Sequence, residues 1–191
     1  MVGNKTNYNE QDVIRAFLLI TETPVARINL VNELELGEGT IKTILQLIKQ
    51  KELIKSTNKG HILTKKGSLK KKKILEEIDG PKMLGLKEYK GMKNCGLLVR
   101  NSKTTKITLD LRDEAIRTGA YSAIIFKYES ELKIPFLEWN YKKENLKDYE
   151  QLIRSFNLKK GDLLIVTFAK EKRICENASL SVMKRIKKIR I

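Results

Sequence analysis

Residues Thr23–Gly67, TPVARINLVNELELGEGTIKTILQLIKQKELIKSTNKGHILTKKG, read as two short amphipathic helices joined by a tight turn and followed by a β-hairpin. Ile41, Ile44, Leu45 and Ile48 fall at i, i+3, i+4 and i+7, so one side of the second helix is a continuous apolar stripe. Its other side carries Thr40, Lys42, Thr43, Gln46, Lys49 and Gln50, all able to donate hydrogen bonds. A helix held by a partner along one stripe and polar along the other suits insertion into the major groove of DNA. Such a device binds; it does not catalyse.

Working outward, Asn9 is a candidate N-cap for a first helix, with Glu10 and Asp12 in the turn where the macrodipole favours acids. Val13, Ala16, Phe17 and Ile20 form its apolar face. Thr23-Pro24 is the expected start of the next helix, since proline is tolerated in a first turn. Ile28, Val31 and Leu34 are its expected inner side. Leu36-Gly37-Glu38-Gly39 is the expected turn, with glycine supplying the backbone freedom of a sharp reversal. The third helix spans 39–51. Leu53-Ile54-Lys55 and His61-Ile62-Leu63-Thr64 are expected as the hairpin strands, with Lys55, Asn58, Lys59 and His61 around its tip. A further helix is expected at Ser68–Ile78, with Leu69, Ile74, Leu75 and Ile78 apolar. Asp79-Gly80-Pro81 is expected to break it and to divide a first domain, 1–79, from a second, 80–191.

The order helix, helix, turn, helix, hairpin, with GTIKTILQLIKQKELI followed by GHILTKKG, resembles the winged helix-turn-helix domains of prokaryotic transcription regulators. The resemblance implies double-stranded DNA as partner. On this reading Thr40, Lys42, Thr43 and Gln46 face the bases, and Lys49, Lys55, Lys59, His61, Lys65 and Lys66 meet backbone phosphates.

Charge distribution bears on the same reading. The 191 residues carry a net charge of +16, and positive excess favours polyanions through counterion release. The excess is directed: over 38–75 eleven lysines face two glutamates, a net +9, whereas 1–37 carry −2. The run Lys70–Lys73 admits two readings, phosphate contact or a solvated helix face.

Beyond Lys82 the pattern becomes short strands alternating with helices. Strands are expected at Asn94–Arg100, Thr105–Leu109, Tyr121–Tyr128, Leu132–Pro135 and Leu163–Ala169, and helices at Asp110–Thr118, Asn145–Phe156 and Arg173–Ile189. The order ββαββαβα implies a two-layer α+β domain with helices on one face of a mostly antiparallel sheet. The domain is itself basic, +12 over 81–191. The stretch LVRNSKTTKITLDLRDEAIRTGAYSAIIFKYESELKIP resembles the C-terminal domain of archaeal two-domain winged-helix proteins, and implies a transcription regulator that dimerises or senses a ligand through this half. Arg112 and Asp113 admit two readings, a small effector site with Arg112 as donor or a helix cap with an internal ion pair. Trp139, Tyr141 and Tyr149 are read as core or rim, with stacking on a ligand as the alternative.

Other classes find little support. GxxxxGK[ST], GxGxxG, HExxH and GxSxG are absent, so no enzyme and no cofactor is expected. Archaeal riboflavin kinases also join a winged helix to a compact second domain, but their glycine-rich nucleotide loops are not found here. Cys95 and Cys175, far apart and without clustered partners, build no metal site and are read as buried apolar side chains. No apolar run approaches the roughly 20 residues of a membrane helix, and the N-terminus lacks a signal-type segment, so a cytoplasmic protein is expected. The expectation is thus a homodimeric DNA-binding regulator, with an RNA-binding role for the basic C-terminal half, or a protein-interaction module, as alternatives.

Overall fold

A computed structural model describes residues 7–135 and 137–191 of the chain. They form two compact units, one up to Ile74 together with Ile189–Ile191, the other from Leu75 to Lys188.

The first unit begins with α1 (Glu10–Leu19). Asn9 caps it: its side chain accepts from the Asp12 N–H at 2.9 Å, while the Asp12 carboxylate accepts from the Asn9 N–H at 3.1 Å. These bonds satisfy amides that the first turn otherwise leaves open. The same carboxylate pairs with Arg15 at 3.1 Å, and Arg15 donates to the Leu34 carbonyl at 3.3 Å, all of it buried. This ties the start of α1 to the end of α2 (Arg27–Leu34).

The second helix departs from expectation. Thr23-Pro24 does not start it, because Val25 is drawn into a β-bridge with His61, exchanging backbone hydrogen bonds of 2.9 Å in both directions. Its buried side is Leu30 and Leu34, and Ile28 is exposed. An i, i+4 pair stays on one face, whereas positions three apart drift around the helix. The turn also differs. Glu35 takes the left-handed conformation (φ 55°), while Gly37 caps α3 (Glu38–Gln50) at φ −63°, which any residue adopts.

Ile41, Ile44, Leu45 and Ile48 of α3 are all buried against α1 and α2, each stabilising by about 1.5–3 kcal/mol. The hairpin pairs β1 (Ile54–Thr57) with β2 (Gly60–Leu63) through a two-residue turn, Asn58-Lys59. Gly60, at φ 136°, lies so close under the Val25 carbonyl that a Cβ would collide with it. The next helix, α4 (Lys65–Glu77), starts earlier than expected because the Thr64 hydroxyl accepts from the Gly67 N–H at 3.0 Å and donates to the Glu52 carbonyl at 2.7 Å. Only Gly67 and Ile74 of it are buried; Leu69 and Leu75 are exposed.

The second unit is α+β, with one antiparallel five-stranded sheet in the order β3-β4-β7-β5-β6. The strands are β3 (Ile78–Leu84), β4 (Lys93–Val99), β5 (Ser122–Tyr128), β6 (Leu132–Lys133) and β7 (Leu163–Ala169). Asp79-Gly80-Pro81 is thus no helix-to-loop break. It forms a bulge inside the edge strand β3, a place where a residue without an N–H is tolerated. Thr105–Leu109 is not a strand: residues 105–108 are irregular and Leu109 opens α5 (Leu109–Arg117). The remaining helices are α6 (Tyr141–Glu144), α7 (Leu146–Ser155) and α8 (Lys172–Ile186).

Helices cover both faces of this sheet, not one. Cys95 of β4 and Thr167 of β7 point toward α8, where Cys95 approaches Ser179 at 3.5 Å and the Thr167 hydroxyl donates to the Cys175 carbonyl at 2.8 Å. Leu98, Leu164, Val166 and Phe168 point the other way, into a core with Tyr141, Tyr149, Leu152 and Phe156 of α6, α7 and the residue that follows. Alternation along each strand makes the two sets separate layers. A strand whose seven residues are all buried, as in β7, requires cover on both sides. Among the described residues no helix is long and apolar enough to cross a membrane.

Gly67 is the sharpest local constraint in the first unit, since a Cβ there would run into the Leu53 carbonyl. Gly67→Ala is expected to destabilise the protein by about 1–3 kcal/mol through overpacking, seen as a lower urea midpoint in the helical circular-dichroism signal.

Candidate functional site

The polar side of α3 is uncovered. Lys42, Thr43, Gln46, Lys49 and Gln50 are exposed and Thr40 is half-buried. The Thr43 hydroxyl donates back to the Gly39 carbonyl at 3.1 Å, so it offers outward its methyl group and acceptor lone pairs. At the hairpin, the Thr57 hydroxyl donates to the Gly60 carbonyl at 2.9 Å and accepts from the Lys59 N–H at 3.2 Å. This presents Lys59 at the tip, with Lys55 exposed further down β1.

His61 is not at the tip. It pairs with Ser56 across the hairpin, with Val25 on its other side, and is half-buried. Burial first, then the charges of Lys49 and Arg27, hold its imidazole below the usual range. Lys49 and Arg27 therefore set positive charge around an imidazole that is kept from adding its own. Arg27 escaped the sequence reading because it lies in the stretch before the basic run. Its guanidinium sits 3.6 Å from Glu38, both side chains open to solvent.

The lysines beyond the hairpin differ among themselves. Lys65 is exposed, but Lys66 pairs with Glu52 at 2.8 Å and holds that carboxyl below the usual range. Lys71 donates to the Ile20 carbonyl at 2.8 Å, satisfying the end of α1, and burial lowers its ammonium from the usual lysine range. In the run Lys70–Lys73, Lys71 is therefore structural, while Lys72 and Lys73 are exposed.

In the second unit Arg112 and Asp113 separate. Arg112 lines a cleft of about 610 Å³ and Asp113 does not. Among the described residues no carboxylate lies within ion-pair distance of Arg112, so the internal pair anticipated with Asp113 is not formed. The cleft takes Ser122–Ile125 from β5, Ile107–Leu109 from the segment entering α5, and Ile134, Pro135, Leu137 and Trp139 from the segment after β6. Tyr89 also lines it, accepting from the Ser122 hydroxyl at 3.2 Å. Of the aromatic trio, Tyr141 and Tyr149 are core, with burial first raising the Tyr141 hydroxyl above its usual range. Trp139 packs edge-on against Tyr141 at 5.3 Å and turns toward the cleft. The sequence signal for this cleft was faint, namely apolar residues outside any periodic run. Leu109 and Leu137 are 75% and 58% exposed.

Both cysteines are buried and free. Burial pushes the Cys175 thiol up to about 12. Among the described residues no cluster of His, Cys, Asp and Glu is placed to hold a metal ion.

Residues 90–186, just over half of the chain, match the family model described as Domain of unknown function (DUF4443), and the chain belongs to that family. Residues 10–69 match the model described as PH0730-like, N-terminal domain. Among solved structures, the hypothetical protein PH0730 from Pyrococcus horikoshii OT3 is similar, with 26% sequence identity and a TM-score of 0.80 over 95% of this chain and 94% of that chain. The two-domain layout is common to both. No curated protein matches.

The depressed imidazole has a measurable consequence. As pH falls below the ordinary histidine range the unfolded chain takes up a proton that folded His61 refuses, so stability is lost there. In an NMR titration His61 should titrate below a free imidazole, and Lys49→Gln should move it upward by removing a neighbouring charge. An unmoved titration would show that Lys49 does not act on His61.

Proposed function

We propose that this protein is a sequence-specific DNA-binding regulator of transcription. Residues 7–74 act as a winged helix-turn-helix, with α3 in the major groove and the β1–β2 wing on the backbone. The observation that carries the reading is the division of α3 into a fully buried stripe and an uncovered polar side whose Lys49 bears on His61 of the hairpin. Gln46 is suited to bidentate pairing with adenine and Lys42 to guanine or phosphate. Thr43, its hydroxyl turned back to Gly39, would present its methyl group to thymine. Lys49, Lys55, Lys59 and Lys65 would neutralise phosphates. Lys66, Lys71 and Arg27, already engaged with Glu52, Ile20 and Glu38, contribute less.

Selection of bound duplexes from genomic fragments with the purified protein, followed by gel shifts, tests this reading. A preferred sequence is expected. Thr43→Ala combined with Gln46→Ala should relax the preference by about 1–3 kcal/mol per lost base contact, while Lys59→Ala should weaken all duplexes alike and reduce the salt slope by about 1. Unchanged behaviour of both variants across sequences and salt would remove this face from the interface. A stronger preference for structured RNA would sink the DNA reading.

A further inference from the structure

We propose that the cleft of the second unit binds a small molecule with an elongated aliphatic body and a single carboxylate, its acid group held by Arg112. The proposal stands apart from the DNA reading, since every residue in it belongs to the unit from Leu75 to Lys188.

Three observations carry it. The first is shape: at about 610 Å³ the cleft falls within the range of small-molecule sites rather than of a flat contact. It exists because β6 pairs with β5 only at Lys127 and Tyr128, so the side of β5 from Ser122 to Phe126 has no strand beside it among the described residues. The gap is bounded by the segments holding Leu109 and Leu137, which leaves a slot rather than an accessible sheet edge. The second is chemistry. Its lining is mostly aliphatic, and Leu109 and Leu137 present to solvent the kind of surface that soluble chains usually cover. The third is charge. Arg112 is the only charged side chain among the lining residues, and no carboxylate among the described residues pairs with it. A guanidinium beside an apolar slot is complementary to a carboxylate with an aliphatic tail, because its planar fork meets both oxygens. The hydroxyls of Thr108, Ser122 and Tyr89 add hydrogen-bonding groups without adding charge. A second copy of a chain with net charge +16 is a poorer occupant, since it would bring like charge toward Arg112.

Trp139, the only tryptophan of the chain, lines the cleft and serves as its reporter. The 191-residue chain is titrated with decanoate below its micellar concentration, with decanol as the uncharged comparison, and tryptophan emission is followed. Saturable change with decanoate is expected, with decanol weaker. Arg112→Gln, an exposed substitution that leaves the core intact, should weaken decanoate by about tenfold or more and leave decanol unaffected. Arg112→Lys should restore part of the loss, and Leu137→Asp should abolish binding of both. Absence of saturable change with decanoate overturns the proposal, as does equal affinity in the parent and Arg112→Gln. Emission that changes on dilution alone, in step with dissociation of an oligomer by sedimentation, overturns it in favour of a second copy seated on the cleft. A sequence preference for DNA that vanishes while decanoate still binds would count against the DNA reading alone.

Discussion

The second unit depends on β7. All seven of its residues are buried and it is hydrogen-bonded along both sides, to β4 and to β5. A strand in that position has no face left for water, so the chain must supply a helical layer above and another below. The two layers are packed differently. On the side of α8 the contacts are small and partly polar, Cys95, Thr167, Cys175 and Ser179, which lets that helix approach the sheet closely. On the other side Phe126, Phe156 and Phe168 fill a wider gap with Tyr141 and Tyr149. Gly96 belongs to this arrangement, because a side chain there would strike the ring of Phe156.

How much of this could be read from the chain depended on whether the relevant signal was local. The stripe Ile41, Ile44, Leu45, Ile48 and the Asn9–Asp12 cap were legible because one helix carries each of them whole. The start of α2 was not, because Thr23-Pro24 has the chemistry of a helix opening and only the distant His61 draws Val25 into a bridge. Strand β3 was hidden by Asp79-Gly80-Pro81, residues that argue against a strand unless it lies at an edge and carries a bulge. The α5 region misled in the opposite sense, since Thr105–Leu109 alternates like a strand but has no neighbour to pair with. The cleft was least legible of all. Its parts come from four separate segments, and of its residues only Arg112, marked for its charge, and Trp139, marked as an aromatic, stood out in the sequence.

Counting lysines locates basic surface but overstates what is available to a polyanion. Of the eleven lysines between 38 and 75, Lys71 closes the end of α1 and Lys66 is committed to Glu52. Arg27, outside the basic run in sequence, adds to the charge around His61 but itself faces Glu38. The effective field on this unit is thus set by which cations lack a partner inside the protein, and tertiary contacts decide that.

The two borders of the sheet have a consequence for how these molecules meet one another. At one border β3 is interrupted by its bulge and by Pro81, which has no amide proton to offer. At the other β6 is only two residues long. A sheet grows from chain to chain through a row of open amides and carbonyls; the bulge interrupts that row on β3, and the segments holding Leu109 and Leu137 bound the part of β5 that β6 leaves unpaired. Runaway strand-to-strand stacking, the hazard of an exposed flat edge, is opposed at one border by a bulge that carries a proline and at the other by the segments that bound the slot beside β5.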